Sequence, residues 1–165
     1  MKMLRLALVV TLISPSLHGQ KPAAARTAWK PENEVQKTAE LVRPSLQVDF
    51  EEAALIHYTG SPAERKEFMA DQEKHLGEDT KFSQAFSAAL AQAVKAKRCD
   101  KLCASQIPPL LYDFAEMAKL VIMVDQEQIK PELLPQESAR FAERFKRSGR
   151  YLRAIHLKPK AAPAG

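Results

Sequence analysis

Fifteen consecutive residues, Leu110 to Val124 (LLYDFAEMAKLVIMV), constrain this chain more than any other stretch. They are apolar around most of a helical circumference, and only Asp113, Glu116 and Lys119 break the surface, along one narrow side. A helix that is apolar nearly all round has to be buried by its neighbours. The stretch is therefore expected to be the centre of a hydrophobic core, beginning after a turn at Pro108 and Pro109.

The rest of the chain supplies those neighbours. Val35, Ala39, Val42, Leu46, Phe50 and Ala53 recur at steps of three or four, one stripe of an amphipathic helix. Pro44 interrupts the stripe, so the helix either kinks there or ends near Val42 and restarts. In Ser61-Pro62-Ala63-Glu64 a capping serine, a first-turn proline and a returning glutamate mark the next start. Phe68, Met69, Gln72 and Leu76 then share a face, and Gly77 is expected to stop that helix. Asp79 or Thr80 would cap an Ala-rich helix whose stripe is Phe82, Phe86, Ala89, Leu90 and Ala93. After a turn bracketed by Pro131 and Pro135, a last helix places Phe141, Phe145 and Leu152 inward. No window alternates as a strand does. With 165 residues, the reading is all-α: a single domain of about five helices in an irregular bundle.

The N-terminus has a different character. Lys2 and Arg5 precede a short apolar run, Leu6 to Ile13, and small and polar residues follow. That is the order of a secretory signal peptide, and the run is too short to span a bilayer. Residues 1–19 are expected to be a signal peptide cleaved after Gly19, or within Ala23 to Ala25, which makes the protein secreted or periplasmic. Residues 20–31 read as a flexible N-terminal arm, 32–157 as the helical domain and 158–165 as a flexible tail. No other segment is long and apolar enough to be a membrane span.

Charge is segregated along the chain. Glu32 to Asp79 carries 12 acidic and 5 basic side chains, net −7, whereas Thr80 to Gly165 carries 8 acidic and 15 basic, net +7. The two halves are expected to face one another, the alternative being an anionic partner for the basic half. Within it, Arg140, Arg144 and Arg147 form an outward stripe on the last helix, the candidate partner-binding residues. A protein surface or an anionic surface suits this stripe. Nucleic acid does not, since no aromatic stacking face accompanies it.

Cys99 and Cys103 are the two cysteines, and export puts them where thiols become disulfides. Four positions is near the limit of disulfide reach on a regular helix, so the expected staple needs a helix end or loose turn, here the exit of the Ala-rich helix. The rival reading makes the C-x-x-x-C pair a thiol-based metal (copper) or redox carrier. A redox pair is expected as C-x-x-C beside a βαβ pattern, which this chain lacks.

Other chemistry finds little footing in the sequence. His57, His75 and His156 form no H-x-x-x-H pair and no E-x-x-H motif, and Asp71 with His75 reads as an exposed ion pair. There is no G-x-S-x-G, no Gly-rich phosphate loop and no S-x-x-K. No catalytic residue, metal or cofactor is called for. The expectation is a small exported helical protein that is not an enzyme and acts on a protein partner, as an adaptor, inhibitor or immunity-type factor.

Overall fold

Residues 29–160 are described by a computed structural model, except for the side chains of 72–76 and 78. The expected signal peptide (1–19), most of the arm (20–28) and the last part of the tail (161–165) lie outside the described residues. Four α-helices and one 3-10 turn follow in order: α1 (Glu34–Thr59), α2 (Pro62–Lys95), α3 (Lys101–Asp125), the turn Pro131–Leu133, and α4 (Leu134–Arg153). The described residues contain no strand, so the domain is all-α as expected.

Caps account for the starts. Asn33 accepts from the Gln36 N–H at the head of α1, and Ser61 with Glu64 closes the capping box of α2. Asp100 accepts from the Cys103 N–H at the head of α3. Both α2 and α3 stop in Schellman turns. The Arg98 N–H reaches the Ala93 carbonyl and Lys97 that of Val94, and Gln128 reaches Met123 and Glu127 that of Val124. The left-handed position is held by Lys97 (φ 54°) in one and Glu127 (φ 53°) in the other.

Three local breakers do not break. Pro44 lies inside α1, because the helix is held on both sides of it by buried Val35, Ala39, Phe50 and Ala53. An interior proline costs about 3 kcal/mol, and each fully buried large apolar side chain contributes about 1.5–3 kcal/mol. Gly77 does not stop a helix either, since α2 runs through it as one helix of 34 residues where two were expected. Glycine permits a left-handed stop without demanding one, and the Ser45 hydroxyl donates to the Asp79 carboxylate just beyond it, keeping α2 on α1. α3 begins seven residues before Pro108, so the expected turn at Pro108 and Pro109 is absent. Its first turn is organised instead by the Asp100 cap and by Cys103.

α1 touches every other helix, α3 packs on α4, and α2 meets α3 through the Phe86 and Phe114 rings, 5.5 Å apart. Phe50 of α1 stacks on Phe141 of α4 at 4.5 Å. The expected stripe of α1 is buried apart from half-buried Leu46, and Phe86, Ala89, Ala93, Met117, Leu120, Phe141 and Leu152 are buried too. Phe82, Leu90 and Phe145 are half-buried. The start of α1 finishes the end of α4, because Gln36 Nε2 donates to the Ile155 carbonyl at 3.0 Å and Asn33 Nδ2 to the same oxygen at 2.8 Å. Gln36 Nε2 also donates to the Leu152 carbonyl at 3.3 Å, one of those a helix end otherwise leaves without partners.

A candidate interaction surface on α3 and α4

Cys99 and Cys103 are bonded, with Cα atoms 5.3 Å apart. The bond straddles the Asp100 cap, so the staple sits at the entrance of α3, beyond the Schellman turn that ends α2, and not at a helix exit. Cys103 is buried. His156 faces Glu32 at 3.6 Å.

The arginine stripe divides. Arg140 is exposed and pairs with Glu137 one turn earlier at 2.9 Å. Arg144 and Arg147 are only partly exposed, because both lean onto Asp113 of α3. Arg147 engages both oxygens of that carboxylate, with Nε at 2.8 Å from Oδ2 and a second bond from Nη2 to Oδ1, and Arg144 Nη1 lies 3.1 Å from Oδ1. The carboxylate raises the already high pKa of Arg147 further. Asp113, expected on the polar side of its helix, is fully buried. A lone buried carboxylate would be strongly unfavourable, and the two guanidinium groups compensate it. Besides Arg140, the outward cations of α4 are Lys146, Arg150 and Arg153, at helical spacing, and the hydrophobic period of α4 already separates them from its inward face.

α3 is packed along one face, with Asp113 tied to α4, and an apolar face on the other side is left uncovered. Leu111 is 43% exposed, Tyr112 54% and Ile122 53%, with exposed Ala115 between them and Lys119 the only charge in that strip. The expected all-round burial of this helix is therefore corrected: Leu110, Phe114, Met117, Leu120 and Val124 are buried, and the opposite side is not. The Arg144 guanidinium lies over the Tyr112 ring, 5.1 Å from its centroid, at the edge of this face.

A polar cluster that the sequence reading did not single out closes the far end of the bundle. His57 is buried, with Nε2 3.1 Å from Asp125 and Nδ1 3.2 Å from Glu127, and the Phe68 ring stands edge-on to it. Arg65 approaches the same Glu127 oxygen at 3.4 Å. An open cavity of about 380 Å³ lies above, lined by His57, Arg65, Lys66, Met69, Asp125, Gln126 and Glu127. The two carboxylates take opposite ring nitrogens, so they do not converge on one point, and no group of three metal-ligating side chains exists among the described residues. The buried end of α1 could have suggested it, since His57 continues the stripe of Phe50 and Ala53.

No protein-family model, no curated protein and no solved structure matches this chain.

Proposed function

We propose that this is an exported helical protein, periplasmic or secreted, that works by protein–protein contact through the outer face of α3. The observation that carries this reading is the uncovered strip Leu111, Tyr112, Ala115 and Ile122 on the most apolar helix of the chain. A contiguous exposed apolar strip is a common mark of a contact site. Tyrosine and arginine are enriched at the centres of protein interfaces, and here Tyr112 and Arg144 are already stacked. Arg144 borders the strip at Tyr112 and gives it charge selectivity. The bonded cysteine pair supports the export part, since such bonds persist in oxidising compartments.

Two measurements test it. A photo-cross-linking residue is placed at Tyr112 in one preparation and at Lys66, on α2, in another, in the cell that makes the protein. A discrete protein adduct from position 112, absent from position 66 and abolished by adding Ile122→Asp, is the expected result. No adduct, or the same adduct from both positions, refutes the contact reading. Intact mass of the secreted chain should place its N-terminus between Gln20 and Arg26, and recovery with Met1 in place refutes export.

A further inference from the structure

The knuckle joining α2 to α3 lies apart from the α3 face and is tied at several points, with Cys103 anchoring it in the core. α2 ends in its Schellman turn with Lys97 in the left-handed region, where glycine would sit without strain. The Cys99–Cys103 bond follows at once, around the Asp100 cap. The chain after α4 then returns to this point. The Lys158 N–H donates to the Arg98 carbonyl at 2.9 Å, and Arg98 Nε donates to the Lys158 carbonyl at 2.8 Å.

Five exposed lysines are thereby gathered on one end of the bundle: Lys95, Lys97, Lys101, Lys158 and Lys160. None of them forms a direct ion pair among the described residues, and the nearby carboxylates are engaged. Glu34 pairs with Arg98, Asp100 caps Cys103, and Glu32 faces His156. Two aliphatic side chains stand among the lysines, Val94 at 54% exposure and Leu102 at 69%, the highest of any large apolar residue described.

We propose that this stapled knuckle docks on an anionic phospholipid surface, with its lysines on the headgroup phosphates and Leu102 at the acyl boundary. Cations clustered around an exposed aliphatic side chain combine the two attractions that hold a protein at such a surface. Single-stranded nucleic acid, another polyanion, is bound with aromatic stacking, and residues 94–103 and 158–160 contain no aromatic side chain. The disulfide and the Arg98–Lys158 bonds fix the knuckle before contact, so little ordering is lost on docking. The α3 face takes no part, so the two proposals stand or fall separately.

The test is co-sedimentation of the purified full chain with vesicles of phosphatidylcholine containing about one-third phosphatidylglycerol, an anionic surface. Binding is expected there, weakening as salt rises, and absent on phosphatidylcholine alone. Each neutralised lysine should weaken binding about fivefold, so Lys95→Gln, Lys97→Gln and Lys101→Gln together should weaken it about a hundredfold. Lys158→Gln with Lys160→Gln, outside any helix, is a second test free of folding effects. Leu102→Ser should weaken binding about tenfold without changing its salt dependence. Lys66→Gln, at the opposite end, and Tyr112→Glu, on the α3 face, should leave it unchanged. Equal binding to uncharged vesicles, no loss in the lysine variants, or tighter binding to a single-stranded DNA oligomer than to the vesicles would overturn the proposal.

Discussion

A Cβ added at Gly149 would lie 2.7 Å from Nη2 of Arg43, so the glycine of α4 makes room for the arginine of α1. That arginine is not free to withdraw. Its Nε donates to Ser148 Oγ at 3.1 Å, Nη2 to the Phe145 carbonyl at 2.9 Å and Nη1 to Glu40, while its guanidinium lies over the Phe145 ring. Burial lowers its pKa from the ordinary arginine value, and the Glu40 carboxylate works against that shift.

The two helical glycines should therefore respond to alanine with opposite signs. Gly149→Ala gains helix propensity but displaces Arg43, and should destabilise by about 1–3 kcal/mol net. Gly77→Ala meets nothing within 4 Å and should stabilise by about 1 kcal/mol. Urea unfolding of the two variants reads the difference, and equal signs would remove the role assigned to Gly149.

Asp113→Ala leaves Arg144 and Arg147 facing a buried gap, and should cost about 3 kcal/mol. Arg140→Ala breaks only an exposed pair on one helix, and should cost less than about 1 kcal/mol. Thermal unfolding of both variants ranks the arginine contacts, and similar losses would show that burial of Asp113 is not what separates them.

Leu120 is buried on α3 and Lys119 beside it is exposed. Leu120→Ala should cost about 2–5 kcal/mol, and Lys119→Ala no more than about 0.5 kcal/mol. Denaturant midpoints compare them directly.

Glu34 and Tyr58 should mark the two limits of the pH range. The hydrogen bond from Arg98 to Glu34 holds its carboxyl below the ordinary value. Its stabilisation is complete above the unfolded pKa, about 4.3, and is lost as pH falls through the lower folded value. Burial, with the Glu127 carboxylate nearby, holds the Tyr58 phenol above its ordinary value. Its contribution is complete below the unfolded pKa, about 10, and is lost as pH rises through the higher folded one. Glu34→Gln should flatten the acid limb of a stability–pH curve and Tyr58→Phe the alkaline limb. Unaltered limbs would assign those losses to other groups.

Closing a loop as short as Cys99 to Cys103 stabilises by about 2 kcal/mol in the chain-entropy description. Replacing both cysteines by Ser should lower unfolding free energy by that amount and leave the helix content of the far-UV spectrum unchanged. The intact protein should show no free thiol and no stoichiometric Cu(I) or Zn(II). A titratable thiol pair or bound metal would favour the carrier reading instead.

Periodicity and capping chemistry by themselves determined where the helices lie and much of the core. The stripes through Val35 to Ala53 and through Phe86 to Ala93, and the Ser61–Glu64 box, are local properties of the chain. The cysteine bond too matches the expectation, although the Asp100 cap puts it before α3 and not at the exit of α2. Tertiary structure decided whether each local preference held. Pro44, Gly77 and Pro108 carry local costs of about 1–3 kcal/mol, comparable to one buried side chain, so packing on either side carried the helices through them. The roles of the polar residues were decided there as well. Asp113 reads as a solvated carboxylate in sequence, yet Arg144 and Arg147, 31 and 34 residues away, allow it to be buried. His57 finds Asp125 and Glu127 at separations of 68 and 70 residues. No local pattern encodes such pairs, because the energy that places them comes from helices meeting across the bundle. The uncovered face of α3 is of the same kind, since which side of an apolar helix the bundle covers is set by how the helices meet and not by the helix's own sequence.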